Sequence, residues 1–344
     1  MISRILIVGL GSIGKRHLRL ARELFPQNKI AVLRHKADPI VPEHADYSFS
    51  TIAEALEFSP QMAVIANPAT FHLSVAMDLA KIGTHLLIEK PLSATAKGVA
   101  ELLDICRANK ARLATGYNLR FLPSLQKFKT LLDEDMIGAV WSVRSEVGQF
   151  LPSWRQDADY RQSVSVQHAL GGGALLELSH ELDYLRWIFG EVDWVQASLS
   201  KQSDLEIDVE DTAYLIFGFH EKPREHPLIA SVNLDFIRKD TTRSCTAIGK
   251  LGSLRWNGIS GTVELYESGK ESWQVIYQHK AERDESYLAE WADFVACIAQ
   301  EKEPYVSGEE GLMVLRIIEA ARSAAKIGSK VNVGDAYELR GARE

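Results

Sequence analysis

Residues 3–14 read Ser-Arg-Ile-Leu-Ile-Val-Gly-Leu-Gly-Ser-Ile-Gly, a short apolar run that leads directly into three spaced glycines. The apolar run is typical of a buried strand, and after the last glycine Leu18, Ala21 and Leu24 recur at helical spacing. A strand, a tight glycine turn and a helix in this order predict the start of a doubly wound α/β fold.

The glycines have the spacing Gly9-x-Gly11-x-x-Gly14 of a dinucleotide-binding turn. Gly9 lets the chain leave the strand in a tight turn, Gly11 has no Cβ to block a pyrophosphate, and Gly14 allows close helix packing. The helix N-terminus, at Ser12 and Ile13, offers unpaired N–H groups and its positive dipole end to the phosphates. We therefore predict that these five residues bind a dinucleotide; the alternative is a turn that only joins two packed elements.

The composition of the 344-residue chain is that of a folded protein with a large core, long enough for two domains. Its net charge of −7 argues against a nucleic acid or an anionic membrane as partner. The cysteines, Cys106, Cys245 and Cys297, are far apart and lack metal-ligand spacing, so we expect no metal and a reducing compartment. Because no apolar run approaches the ~20 residues of a membrane helix, we expect a cytoplasmic protein.

The order of apolar runs divides the chain near residue 120. Before that point strands and helices alternate, which predicts a Rossmann domain over residues 1–120 with a parallel sheet and helices on both faces. After it, short strands follow one another, which predicts an α+β domain over residues 121–344 with an open, mainly antiparallel sheet. A single helix is predicted from about Gly173 to Phe189, just before these strands.

Four segments recur together in one known family. They are the glycine turn, Asn67-Pro68-Ala69-Thr70-Phe71-His72, Glu89-Lys90-Pro91, and Gly171-Gly172-Gly173 followed by His180-x-x-Asp183. In the order and spacing of these segments, the whole chain resembles the glucose–fructose oxidoreductase / inositol dehydrogenase / rhizopine catabolism family. The resemblance implies a nicotinamide-dependent oxidoreductase with a nucleotide-binding domain followed by a substrate-binding and oligomerisation domain.

Lys90 and His180 are the candidate catalytic residues. Lys90 follows a predicted strand at the sheet edge where open α/β sheets bind ligands, and its ammonium can face a substrate hydroxyl or carbonyl. The resemblance implies that it is the catalytic lysine; by itself it also fits a solvated surface lysine. A histidine can exchange protons near neutral pH, and the resemblance implies that role for His180, with a hydrogen-bonded core histidine as the alternative.

The chain departs from the family pattern just before His180. Many members have an aspartate four residues before this histidine, where this chain has Leu176. Glu177 lies three residues before it. Either Glu177 supplies the catalytic carboxylate from a shifted register, or the role is vacant.

The resemblance also implies a set of cofactor-binding residues near the nicotinamide and its ribose. They are Asn67, Pro68, His72, Glu89 and Lys90. The alternative for the first three is ordinary capping of a helix N-terminus.

The choice between NAD and NADP depends on the end of the second strand. NAD-binding forms have an acidic residue there for the ribose hydroxyls, whereas this chain has Arg34 and Lys36. Two basic side chains suit a 2′-phosphate, so we predict NADP as the cofactor. NAD, with both side chains merely solvated, is the alternative.

Candidate substrate ligands lie in two segments. Asn118 and Arg120 match the family segment that crosses between domains, and Asp183 shares a helix face with His180; a structural ion pair is the alternative for Arg120. The loop before the triglycine suits an anionic sugar, because guanidinium binds carboxylate or phosphate bidentately. Its candidates are Trp154, Arg155, Tyr160 and Arg161, and the alternative is a solvated loop with ion pairs to Asp157 or Asp159.

We therefore expect an enzyme that transfers a hydride between a nicotinamide and a carbon of a sugar or sugar-acid substrate. The open sheet is expected to form a homodimer or homotetramer. Two alternatives remain. A tightly held cofactor would allow a redox-neutral elimination, hydrolysis or epimerisation, whereas a nucleotide-sensing regulator would need neither Lys90 nor His180.

Overall fold

The computed structural model describes residues 2–35, 40–154, 159–220 and 227–334. The chain forms two compact units: unit 1 contains Met1–Tyr117 and Leu288–Leu315, and unit 2 contains Asn118–Tyr287 and the chain from Arg316 onward. The division predicted from the sequence assigned residues 288–315 to the second domain, whereas their contacts group them with unit 1.

Unit 1 is built on a parallel sheet. Its described strands are β1 (Arg4–Val8), β2 (Lys29–Leu33), β3 (Tyr47–Phe49), β4 (Met62–Ile65), β5 (His85–Glu89) and β6 (Leu113–Gly116). They lie in the order β3-β2-β1-β4-β5-β6 and every pair is parallel, so the predicted Rossmann sheet is confirmed. Ile7, Val64 and Leu87 in its central strands are 0% exposed, as expected for a parallel sheet covered on both faces.

Helices connect these strands in unit 1. They are α1 (Ser12–Leu24), α2 (Ile52–Glu57), α3 (His72–Lys81) and α4 (Val99–Ala108). α1 begins directly at the glycine turn, so the order strand, turn and helix predicted from residues 3–24 is confirmed.

Unit 2 combines helices with a second, larger sheet. Its elements are α5 (Pro123–Asp133), β7 (Val140–Gly148), α6 (Ala174–Glu177), α7 (His180–Phe189), β8 (Val192–Ser200), β9 (Thr212–Phe219), β10 (Ile229–Asp235), β11 (Thr242–Gly249), β12 (Gly252–Asn257), β13 (Thr262–Glu267), β14 (Gln274–Gln278) and β15 (Val331–Asn332). The strand order is β14-β13-β12-β11-β7-β10-β9-β8-β15. β7 and β10 are parallel, and the other described neighbours are antiparallel, which confirms the mainly antiparallel sheet.

The last two helices are α8 (Glu285–Gln300) and α9 (Gly308–Ile327). They contain the segment 288–315 that groups with unit 1. None of the helices that the structure describes combines the length and the apolar character needed to span a bilayer.

The single helix predicted from Gly173 to Phe189 is wrong. The structure has two helices, α6 and α7, separated by Leu178 and Ser179. The N–H of Ser179 bonds the Leu176 carbonyl, and the N–H of Glu181 bonds the Leu178 carbonyl, so the chain makes tighter turns here than an α-helix does. Leu178 is 5% and Ser179 0% exposed, so packing of both residues accompanies the break. His180 is therefore the first residue of a helix.

Candidate functional site

The glycine turn in unit 1 has one open position between two tightly packed ones. Gly9 has a φ of +88°, and a Cβ there would lie 2.8 Å from the Asn67 backbone nitrogen. A Cβ at Gly14 would overlap the Gly9 carbonyl oxygen. At Gly11, by contrast, an added Cβ would lie more than 4 Å from the surrounding heavy atoms of the described residues. The helix that begins at Ser12 has no side-chain hydrogen bond at its N-cap. The turn therefore has the space that a pyrophosphate needs, next to the N-terminus of α1.

Three chain segments leave adjacent strands at the same edge of the unit 1 sheet. The strand partners Val8↔Ile65 and Ile65↔Ile88 place the ends of β1, β4 and β5 side by side. Gly9, Asn67 and Lys90 follow these ends within two residues. Lys90 is half-buried and precedes a cis peptide bond to Pro91. The candidate phosphate turn and the candidate catalytic lysine thus share the carboxyl edge, where open α/β sheets bind ligands.

His72 joins two of these segments. It is 1% exposed, with Nε2 lying 2.7 Å from the Asn67 carbonyl oxygen and Nδ1 lying 3.1 Å from that of Pro91. Burial lowers the pKa of His72, although the hydrogen bonds to its carbonyl partners act in the opposite direction and raise it. Both carbonyl oxygens can only accept and the neutral ring carries one N–H, so the ring donates to one of these loops and packs against the other. Its assignment as a cofactor ligand stays a prediction. Pro68, also a candidate, is half-buried between Asn67 and a 3₁₀ turn over Ala69–Phe71.

Asn67 carries a free acceptor at the same edge. Its Oδ1 is buried and has no hydrogen-bond partner among the residues that the structure describes. A buried amide oxygen without a partner costs free energy unless a ligand or water donates to it. This atom therefore suits a donor group of a bound cofactor.

Glu89 belongs to a buried hydrogen-bond chain that sequence reasoning missed. Its Oε1 lies 2.8 Å from Nε2 of His17, and its Oε2 accepts the backbone N–H of Lys90 at 3.1 Å. The indole N–H of Trp291 donates to Nδ1 of His17 at 2.9 Å. His17 and Trp291 are 0% exposed. Because 274 positions separate them, no local sequence signal connects the two.

Glu290 is a second buried carboxyl group in unit 1. It is 3% exposed, and neither carboxyl oxygen has a hydrogen-bond partner in the described part of the chain. Burial raises the pKa of Glu290 well above its usual range, and the negative charges of Glu89 and Asp293 raise it further. Burial and the neighbouring negative charges thus favour the neutral acid at this position more than at an exposed glutamate.

Arg120 and Asp183 form an ion pair inside unit 2. Nε of Arg120 lies 2.9 Å from one carboxylate oxygen, and Nη2 lies 2.6 Å from the other. The side chains are 2% and 0% exposed. The structure therefore contains the ion pair given as the alternative for Arg120, and substrate binding by Arg120 and Asp183 stays a prediction. Asn118 is also buried, and its amide donates to Ser286 Oγ at 2.8 Å.

The triglycine segment is held by Glu210, another residue that sequence reasoning missed. Glu210 Oε1 accepts the N–H of Leu175 at 3.0 Å, and burial raises the pKa of this carboxyl. Gly173 has a φ of +110°, and a Cβ there would overlap the Glu210 carboxylate. Glycine is therefore required where the chain enters α6. Glu177 ends α6 and His180 begins α7, so the two catalytic candidates lie on opposite sides of the helix break.

The polar side chains of the loop before the triglycine, where the structure describes them, bond to other residues of unit 2. Trp154 Nε1 donates to the Gln149 carbonyl, and its ring packs edge-on against Phe236 at 5.2 Å. Tyr160 accepts the N–H of Glu206 at 3.3 Å. Arg161 pairs with Asp159 at 2.9 Å and with Glu206 at 3.5 Å, and its side chain is 52% exposed. The solvated ion-pair alternative therefore describes Arg161, and Arg155 lies outside the described residues.

Arg34 lies directly after β2, as predicted. Its Nη2 donates to Ser48 Oγ and to the Ile40 carbonyl, both at 2.8 Å. These bonds anchor the guanidinium beside the neighbouring strand β3. Lys36 lies outside the described residues.

Two family models match the chain. Residues 3–117 match "Oxidoreductase family, NAD-binding Rossmann fold", and residues 129–333 match "Oxidoreductase family, C-terminal alpha/beta domain". Together they cover most of both units, so the predicted nucleotide-binding fold is confirmed.

Individual relatives are distant. The chain is 26% identical to myo-inositol 2-dehydrogenase of Thermotoga maritima, over 93% of this chain and 96% of that protein. It is 30% identical to an uncharacterized oxidoreductase of Synechocystis, but over only 45% of this chain and 41% of that protein. Levoglucosan dehydrogenase in complex with NADH has the same fold, with a TM-score of 0.83 at 21% identity over 96% of this chain and 98% of that one.

Gly11→Val tests the phosphate turn. The added side chain points into open space in the folded protein, so the fold should persist, but it occupies the space that a pyrophosphate needs. We expect nucleotide affinity, measured by calorimetry, to fall at least tenfold, or about 1.4 kcal/mol. Gly334→Val, at another glycine with open space, is the matched control. Unchanged affinity in Gly11→Val would place the nucleotide elsewhere.

Glu290→Gln tests the neutral buried acid. A folded pKa above the unfolded value means that stability falls as the pH rises above about 4.3, where the unfolded chain releases the proton. Glutamine removes this penalty, so the denaturation midpoint should exceed that of the parent protein at pH 7. The difference should shrink as the pH falls toward 4. Glu271→Gln, at an exposed position, should show no such trend; a destabilised Glu290→Gln at pH 7 would contradict the assignment.

Proposed function

The chain belongs to the oxidoreductase family of glucose–fructose oxidoreductase, inositol dehydrogenase and rhizopine catabolism proteins, and we propose that it transfers a hydride between NADP and a carbon of a sugar-like substrate. One observation carries the proposal. The open position at Gly11 and the residue Lys90 both lie at the carboxyl edge of the unit 1 sheet. The residues proposed to bind the phosphates and the residue proposed to act on the substrate thus lie at the same edge of the sheet.

The nicotinamide, when bound, supplies or accepts the hydride. The protein binds its pyrophosphate at the N–H groups of α1 and offers Asn67 Oδ1 as an acceptor for a donor group of the cofactor. Lys90 Nζ donates a hydrogen bond to the reacting oxygen of the substrate and stabilises the negative charge that develops there. His180 takes the hydroxyl proton at a ring nitrogen during oxidation and returns it during reduction. Glu177, three residues before His180, is proposed as the carboxylate that assists it.

The substrate class follows from the relatives, some of which are named as dehydrogenases of inositol, xylose and levoglucosan. We infer a polyhydroxylated, sugar-like substrate. Support for an acidic sugar is weaker, because Arg120 and Arg161 are already paired with carboxylates. Of the two arginines predicted to bind an anionic sugar, Arg161 is paired with Asp159, and Arg155 lies outside the described residues.

A panel of neutral sugars and sugar acids, incubated with NADP or NADPH, tests the proposed reaction. Net change in nicotinamide absorbance with product formation supports a dehydrogenase. Product without net absorbance change supports the redox-neutral alternative. Nucleotide binding without any product supports a sensor and contradicts the proposal.

Lys90→Met should abolish most turnover while leaving the fold intact. A positioned acid/base group contributes typically about 10²–10⁴-fold, so kcat should fall by that factor. Nucleotide affinity should stay within a few-fold, because the lysine acts on substrate. Lys81→Met, at an exposed lysine of α3, is the control. Retained activity in Lys90→Met would contradict the catalytic role.

Arg34→Asp tests the preference for NADP. The change removes a cation beside the proposed 2′-phosphate and adds repulsion, so the ratio of NADP to NAD affinity should fall at least tenfold, about 1.4 kcal/mol. Arg34→Gln keeps a hydrogen-bond donor for Ser48 and should give an intermediate ratio. If the parent protein prefers NAD, the assignment of Arg34, at the end of the second strand, as a ligand of the 2′-phosphate is wrong.

A homo-oligomer is proposed from the sheet of unit 2. One face of this sheet carries exposed apolar side chains at Tyr214, Ile216 and Ile229, which are 46%, 41% and 42% exposed. On β10, Ser231 lies opposite Ile216 and Asn233 lies opposite Tyr214. Burying such a face against a second copy would remove this apolar surface from water. Light scattering of the purified protein distinguishes monomer, dimer and tetramer.

A further inference from the structure

A continuous chain of buried side chains ends at the backbone of Lys90. It runs from the indole of Trp291 on α8, through His17 on α1, to Glu89 at the end of β5. Glu89 then accepts the N–H of Lys90. All four residues belong to unit 1, and the first three are at most 8% exposed.

The contacts with Trp291 and Glu89 together determine the protonation of the His17 ring. An indole N–H can only donate, so Nδ1 of His17 must accept and cannot carry a proton. The ring proton therefore lies on Nε2, which donates to Glu89 Oε1 at 2.8 Å. Without the indole donor, the carboxylate would still require the proton on Nε2, but Nδ1 would lose its bond from Trp291 and the ring would be oriented from the Glu89 side alone.

Glu89 is held at both oxygens. Oε1 accepts from His17 and Oε2 accepts from the Lys90 amide, so the carboxylate plane is fixed by donors on two different segments. Gly116 leaves the room for this orientation, since a Cβ there would lie 3.1 Å from Oε2. The neighbouring Glu290 has no described hydrogen-bond partner, so it does not compete for either donor.

We propose that Trp291 and His17 are positioning residues for Lys90: the indole N–H fixes the orientation of the His17 ring, and the ring then holds Glu89 where it receives the Lys90 amide. This inference rests on the proposed function, because it treats Lys90 as catalytic. Neither side chain contacts the substrate in this proposal. Their effect reaches the reaction through the backbone at Lys90.

The kinetic test uses variants that keep the packing and change the hydrogen bond. Trp291→Phe removes the N–H alone, and we expect kcat to fall about tenfold with the substrate KM and the nucleotide Kd within about twofold. His17→Leu should lower kcat at least as far. His17→Gln should restore most of it, because a side-chain amide can accept from Trp291 and donate to Glu89. Trp256→Phe, which loses a buried indole bond to Ser124 in unit 2, is the matched control and should keep its kcat.

The spectroscopic test does not depend on turnover. In protein labelled with ¹⁵N-histidine, the His17 signals, assigned by their loss in His17→Gln, should show an unprotonated Nδ1 and a protonated Nε2. In Trp291→Phe the Nδ1 shift should change, because this nitrogen loses the hydrogen bond from the indole, while Nε2 should stay protonated. An unchanged Nδ1 shift together with unchanged kcat in Trp291→Phe would overturn the inference. So would a His17→Gln variant that is folded and as inactive as His17→Leu.

The two proposals fail in distinguishable ways. If Lys90→Met keeps its activity, the catalytic role of Lys90 is wrong, whatever the His17 signals show. If Lys90→Met is inactive while Trp291→Phe and His17→Leu keep the parent kcat, the proposed function stands and the positioning role is wrong. Thermal midpoints of all variants identify a loss of kcat that comes from unfolding.

Discussion

The rest of unit 1 depends on the close approach of three backbone segments at the glycine turn. Gly14 packs against the Gly9 carbonyl, and Gly9 packs against Asn67, so each contact needs a residue without a Cβ. This packing sets the start of α1 beside the end of β4. Among the three glycines of the turn, Gly11 is the one at which an added Cβ would meet no described heavy atom within 4 Å, so the turn keeps space for a ligand at this position.

The carboxyl edge is organised by buried polar side chains rather than by apolar packing. His72 joins the loop after β4 to the turn after Lys90, and Glu89 joins the same turn to α1 and α8 through His17 and Trp291. A buried polar group is stable only with partners of fixed geometry, so such bonds specify loop positions more narrowly than hydrophobic contacts do. Residues that resemble cofactor ligands in sequence can therefore serve as supports.

Unit 2 uses its charges in a similar way. Arg120 and Asp183 form a buried bidentate pair, and removing one partner of such a pair typically costs about 3–5 kcal/mol because the other charge is left unpaired. Glu210 likewise holds the entry to α6. Because the Arg120 guanidinium is already paired inside the unit, it has less capacity to bind an anionic substrate. The charge of the substrate is consequently less constrained than the sequence suggested.

Local sequence signals determined much of this protein. The period of the apolar residues and the spacing of the glycines predict the Rossmann sheet, the strand–turn–helix unit, the mainly antiparallel second sheet and the lysine after β5. Each of these features depends on residues that are close together in the chain. Only the tertiary structure decided which distant side chains become partners. The pairing of His17 with Trp291, of Arg120 with Asp183, and of Gly173 with Glu210 joins residues far apart in sequence. The local sequence also does not predict the break before His180, because Leu178 and Ser179 are both compatible with a continuous helix. In the structure the two residues lie between α6 and α7, and both are buried there.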